Sequence, residues 1–166
     1  MSYAPYGIQA GDCLLYRPST IFGWIIAIKT WTKISHLEIY DGAGESVAAR
    51  DGIGVGKYPL RLDHLARVLR PKSDLNVGSA DQWFLNVNGL GYDYWGLLIF
   101  ALARRKGAAD KMFCSEFAVN WYEAAGFKPF SNQYAADRIA PAQFLQSTEF
   151  TEVWSDGKYA AQRLTH

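Results

Sequence analysis

Between residues 34 and about 70 the apolar residues come in short runs broken by glycine: "ISHLEIYD", "ESVAARD", "GVGKYPL" and "HLARVLRP". Runs this short, separated by turn residues, predict a small antiparallel sheet. Such a sheet must bury its apolar face under another layer, and the chain supplies helical candidates for it. The clearest is "DKMFCSEFAVNWYEAAG", where Phe113, Phe117, Ala118, Trp121, Tyr122 and Ala125 recur at helical spacing and Gly126 stops the run. The expected class is therefore α+β, with helices packed against one small antiparallel sheet.

The remaining segments fit that plan. "GDCLLYRP" predicts a strand ending at Pro18 with Cys13 in the core, and "STIFGWIIAIKTWTK" predicts a helix with Ser19 and Thr20 ready to cap it. Residues 78 to 105 return to helical spacing, interrupted at "NGLGYDY". The second of these helices ends in Arg104, Arg105 and Lys106 before Gly107, as cations at the negative end of a helix dipole. "APAQFLQS" reads as a short helix and "FTEVW" as a closing strand. "GIGVG", residues 52–56, lacks the following lysine and helix of a phosphate loop and reads as a hairpin turn. No linker, repeat or low-complexity tract divides the chain, so residues 1–166 are expected to form a single domain.

Composition narrows the function classes. With 49% apolar residues the chain can bury a core unaided. Its 17 Lys and Arg against 16 Asp and Glu give no global steering toward nucleic acid. Two cysteines make no disulfide framework, and His36, His64 and His166 never pair with cysteine at zinc spacing, so neither metal nor other cofactor is expected. "IFGWIIAI" and "YWGLLIFALA" fall short of the roughly 20 residues of a membrane span, so no transmembrane segment is expected. "MSYAPYGIQAGD" has no secretory pattern.

Two residues suggest chemistry. Cys114 falls in the first turn of its helix, where free backbone N–H groups and the positive dipole end favour a thiolate and could hold an oxyanion. In "ISHLEIY" the strand alternation puts Ser35, Leu37 and Ile39 on one face and Ile34, His36, Glu38 and Tyr40 on the other. A cysteine nucleophile needs an imidazole base held in one tautomer by a third polar group. Singly, neither residue establishes this, because free cysteines are commonly buried and inert and strand histidines commonly sit at the surface.

Taken in order, "GDCLLYR", "SHLEIYDG", "GYDY" and "FCSEF" resemble the circularly permuted papain-like amidases, the YiiX-like branch of the NlpC superfamily, relatives of lecithin:retinol acyltransferase. The resemblance covers about residues 10 to 126 and implies a permuted papain-like fold with Cys114 as nucleophile and His36 as general base. It implies an amide substrate, most plausibly a peptide or peptidoglycan stem peptide, with Asp12, Tyr16, Tyr92 and Tyr94 as candidates for the binding groove. The third catalytic position of the family falls at Ala48, and alanine cannot orient an imidazole. Glu38, on the histidine's own face, is the first substitute, ahead of a backbone carbonyl or water. Ser46 and Arg50 share the face of Ala48, but serine orients weakly and arginine disfavours an imidazolium. Glu116 reads as a stabiliser of the helix N-terminus.

Three functions follow: a thiol hydrolase of cell-wall peptides, a lipid acyltransferase on the same scaffold, or a non-catalytic binding relative such as a phage virion component, for which Ala48 argues. The acyltransferase reading would make "FGWIIAIKTW" lipid-facing, although that segment lacks a lysine-rich polar face. For the hydrolase, synthesis in the cytoplasm and delivery to the cell wall by a phage particle, lysis or secretion is the expected route.

Overall fold

In the computed structural model, which describes residues 5–19, 24, 32–92, 111–131, 136 and 139–157, the sheet has six strands. They are β1 (Cys13–Tyr16), β2 (His36–Tyr40), β3 (Glu45–Arg50), β4 (Gly54–Pro59), β5 (Leu65–Pro71) and, after two further short strands β6 (Gly91–Tyr92) and β7 (Lys111–Met112), β8 (Phe150–Ser155). The order is β4-β3-β2-β1-β5-β8, and every neighbouring pair is antiparallel. The four runs between 34 and about 70 are thus β2 to β5. The turn at "DGIG" is the expected hairpin. Gly54, at φ +107°, is fixed there because a Cβ would sit 2.2 Å from the carbonyl oxygen of Leu90.

Strand alternation gives the sheet two different faces. Cys13, Leu15, Leu37, Ile39, Val47 and Ala49 point to the main core under helices α1 (Val77–Val87) and α2 (Cys114–Ala124). The opposite face carries Leu14, Tyr16, Tyr40, Leu65 and Val68 in a smaller cluster with Ile8, Leu60 and Trp154. Asn76 caps α1 by accepting from the Ser79 N–H at 3.1 Å. Phe117, Ala118, Trp121 and Tyr122 are the buried stripe of α2, and Gly126, at φ +80°, ends it.

Three boundaries differ from the sequence reading. The helix around "FCSEF" begins at Cys114 itself, because Lys111 and Met112 pair in parallel with Gly91 and Tyr92. The helical spacing from 78 gives an α-helix only to Val87, after which 89–90 turn onto the edge of β4, with the Val55 N–H donating to Leu90 at 2.8 Å. "APAQFLQ" forms a 3₁₀ helix, Pro141–Gln146. Apart from Trp24, Thr32 and Lys33, the helix expected over 19–33 lies outside the described residues save for its first residue, as do Tyr94 and the basic cluster 104–106. Among the described residues no helix is long and apolar enough to cross a membrane.

Candidate active site

Cys114 is the first helical residue of α2. Its N-cap is Phe113, in extended conformation, whose side chain takes up none of the first-turn N–H groups. The next residue locks this turn in place: the buried Ser115 hydroxyl donates to the Ile139 carbonyl. Phe113 and Phe117 belong to the buried core, and Cys114 is only 2% exposed.

His36 opens β2, close enough to Cys114 for the sulfur to act on its imidazole. Its Nε2 lies 3.1 Å from Oε1 of Glu38. The imidazole side chain is 16% exposed, so solvent reaches the pair from the histidine's side. Burial pulls the imidazole toward the neutral form. The charge and hydrogen bond of Cys114, and then those of Glu38, outweigh it and push the pKa up to about 9. The imidazole is therefore protonated at neutral pH.

Glu38 is no solvated strand carboxylate: it is fully buried. Arg50 grips it through two bonds, Nε to Oε1 at 2.8 Å and Nη2 to Oε2 at 3.0 Å. Arg61 Nη2 adds a bond to Oε1 at 2.9 Å, and the Ser46 hydroxyl donates to Oε2. Burial pushes this carboxyl up, but His36, Arg50 and Ser46 together hold it well below the usual carboxylate range. Both guanidiniums are braced by aromatic rings, Arg50 over Tyr58 at 4.2 Å and Arg61 over Tyr16 at 5.1 Å.

Sheet register explains the alanine. Ile39 pairs with Val47 and Tyr40 with Ser46, so the next outward pair sets Ala48 opposite Glu38. A larger residue there would fill the space the carboxylate occupies, while Ser46 and Arg50, two residues to either side on the same face, reach it from both flanks. Arg50 thus meets the imidazole's partner rather than the imidazole, as the clamp on Glu38.

The other sequence candidates divide. Tyr16 pairs with His36 across β1 and β2 and its ring lies 6.0 Å from the imidazole, although its hydroxyl donates to the Arg61 carbonyl at 3.0 Å. The Tyr92 backbone runs beside Met112, two residues before Cys114. Asp12 is buried, accepts from Arg70 Nε and Nη2 at 2.9 and 2.7 Å and from the Gln9 N–H at 2.8 Å, and so anchors the start of β1. Cys13 is core, as expected, and burial pushes its thiol far up. Arg61 is the site residue that sequence reasoning missed: it stands in an irregular stretch, "PLRLDH", with no periodicity to give it a face.

Comparison with family models finds no match, and neither does comparison with curated proteins. Among solved structures, the crystal structure described as metalloprotein yiiX from Escherichia coli O157:H7 superposes with a TM-score of 0.66. The identity is 18%, over 89% of this chain and 97% of that one. The chain thus shares the mixed α/β fold of yiiX, with its antiparallel sheet and few helices.

Proposed function

We propose that the protein is a thiol hydrolase of amide bonds on a permuted papain-like scaffold. The observation that carries this is the chain of contacts Cys114, His36, Glu38, with the sulfur on the first residue of a helix that has no side-chain cap. Cys114 attacks the carbonyl carbon as thiolate, and the oxyanion that forms is met by first-turn N–H groups of α2. The His36 imidazolium gives its proton to the departing amine. As neutral base it then takes one from water, which attacks the thioester and frees Cys114. Glu38 keeps the ring in the orientation that serves both steps.

The cell-wall stem peptide is the substrate class that the family resemblance implies, and an amidase acting there is the reading adopted. The non-catalytic alternative drew on Ala48. That alanine faces a buried carboxylate hydrogen-bonded to His36, which supports the catalytic reading over it.

The yiiX neighbour is described as a metalloprotein, and the described residues around His36 and Glu38 do not suit that chemistry. His36 and Cys114 offer two donors, but both oxygens of Glu38 face guanidinium and hydroxyl donors that would repel a cation. No group of three His, Cys, Asp or Glu fit to hold a metal occurs among the described residues. The test of the hydrolase reading is turnover of purified muropeptides by wild type, Cys114→Ala and His36→Ala. Loss of product in both variants is expected, and retention of wild-type hydrolysis in both overturns the assignment.

A further inference from the structure

Arg61 is the member of the cluster whose donors the protein itself uses least. Oxygen Oε1 of Glu38 already accepts from His36 Nε2 and from Arg50 Nε, and Arg61 Nη2 is a third donor on that one atom. A carboxylate oxygen has about two lone-pair positions, so the hold on Arg61 is a shared one. Its Nε is shielded from solvent and finds no partner among the described residues. Yet the side chain as a whole is 33% exposed, so Arg61 stands on the solvent side of the cluster, with Nη2 its one hydrogen-bonded donor among the described residues.

Position and charge point the same way. Arg61 Nη2 and His36 Nε2 lie 2.9 and 3.1 Å from the same oxygen, hence no more than 6.0 Å apart. Two guanidiniums stand against one carboxylate, leaving a positive charge before His36 is counted. Asp63 is exposed and near enough to act on Tyr16, but forms no ion pair with Arg61. The Tyr16 ring beneath the guanidinium, with its hydroxyl on the Arg61 carbonyl, holds the residue in place.

We propose that Arg61 is an anion-binding subsite beside His36, selecting acyl substrates that carry a carboxylate. A planar guanidinium with free N–H groups matches a carboxylate bidentately. In a partly buried setting that attraction exceeds its value in water. The proposal rests on the thiol-hydrolase reading and names the substrate feature that the site would favour.

The test needs no substrate. Cys114 is alkylated in parallel with iodoacetate and iodoacetamide, which differ in charge and little in size, and the adduct at each cysteine is followed by mass spectrometry. The ratio of the two rates on one thiol cancels its thiolate fraction, and the urea-unfolded chain gives the intrinsic ratio for the same residue. Folded wild type should favour iodoacetate about tenfold beyond that intrinsic ratio, the scale expected of one nearby cation in such a site. Arg61→Gln should abolish the excess and Arg61→Lys should keep part of it. A wild-type ratio equal to that of the unfolded chain overturns the subsite, as does an excess that Arg61→Gln leaves intact. A thiol inert to both reagents overturns the nucleophile reading itself, and the subsite with it.

Discussion

Replacing Glu38 by glutamine changes the side chain's shape little and removes the one negative charge among His36, Arg50 and Arg61. The carboxylate accepts five hydrogen bonds from four side chains. A carboxamide offers one oxygen to those donors and turns its own N–H groups on the rest. Removing one partner of a buried charge cluster costs about 3–5 kcal/mol, because the stranded charges stay desolvated. Arg61 is partly exposed and regains water, so the lower end, about 3 kcal/mol, is expected. Urea unfolding reads this directly, as a midpoint lowered by about 1 M or more at ordinary slopes. Arg50→Met removes one of the stranded cations. The double variant should therefore lose less than the sum of the single losses, with a coupling of about 1–2 kcal/mol. NMR titration of the imidazole should also show the His36 pKa falling, since Glu38 supplies part of the upward push. A loss below about 1 kcal/mol, or an additive cycle, would refute the view that Glu38 is the counter-charge of this cluster.

Three further outcomes are expected. His36 is raised from 6.5 to about 9 in the folded chain, so the native state binds the extra proton. Its stabilising contribution is complete below the unfolded value and is lost as pH rises through the folded one. The wild type should lose about 3 kcal/mol more than His36→Gln over that window in urea unfolding, and parallel curves would contradict it. Asp12→Asn breaks the Arg70 pair and should cost about 1–3 kcal/mol of stability. The Cys114 alkylation rate of the folded protein should stay near wild type, and a large fall would place Asp12 in the site. Gly54→Ala should lower thermal stability by about 2 kcal/mol or more, since a Cβ meets the Leu90 carbonyl at 2.2 Å on a backbone at φ +107°. An unchanged melting temperature would mean that the β3–β4 turn relaxes freely.

The sheet, the α2 stripe, the buried Cys13 and the placing of Cys114 at a helix start were all legible in the sequence, because strand alternation, helical spacing and glycine stops are local signals. Local spacing also put His36 and Glu38 on one strand face, two residues apart, and that sufficed to single out the carboxylate. The tertiary structure decided what no spacing contains. Pairing of β2 with β3 set Ala48 opposite Glu38, turning an apparent defect into the room a buried carboxylate needs. Pairing of β6 with β7 moved the helix start to the cysteine itself. Packing of an irregular stretch delivered Arg61 to the same oxygen as His36, and the Arg70 pair tied Asp12 to the start of β1. These arrangements depend on which strands become neighbours and in what register, a choice made by burial summed over the whole sheet.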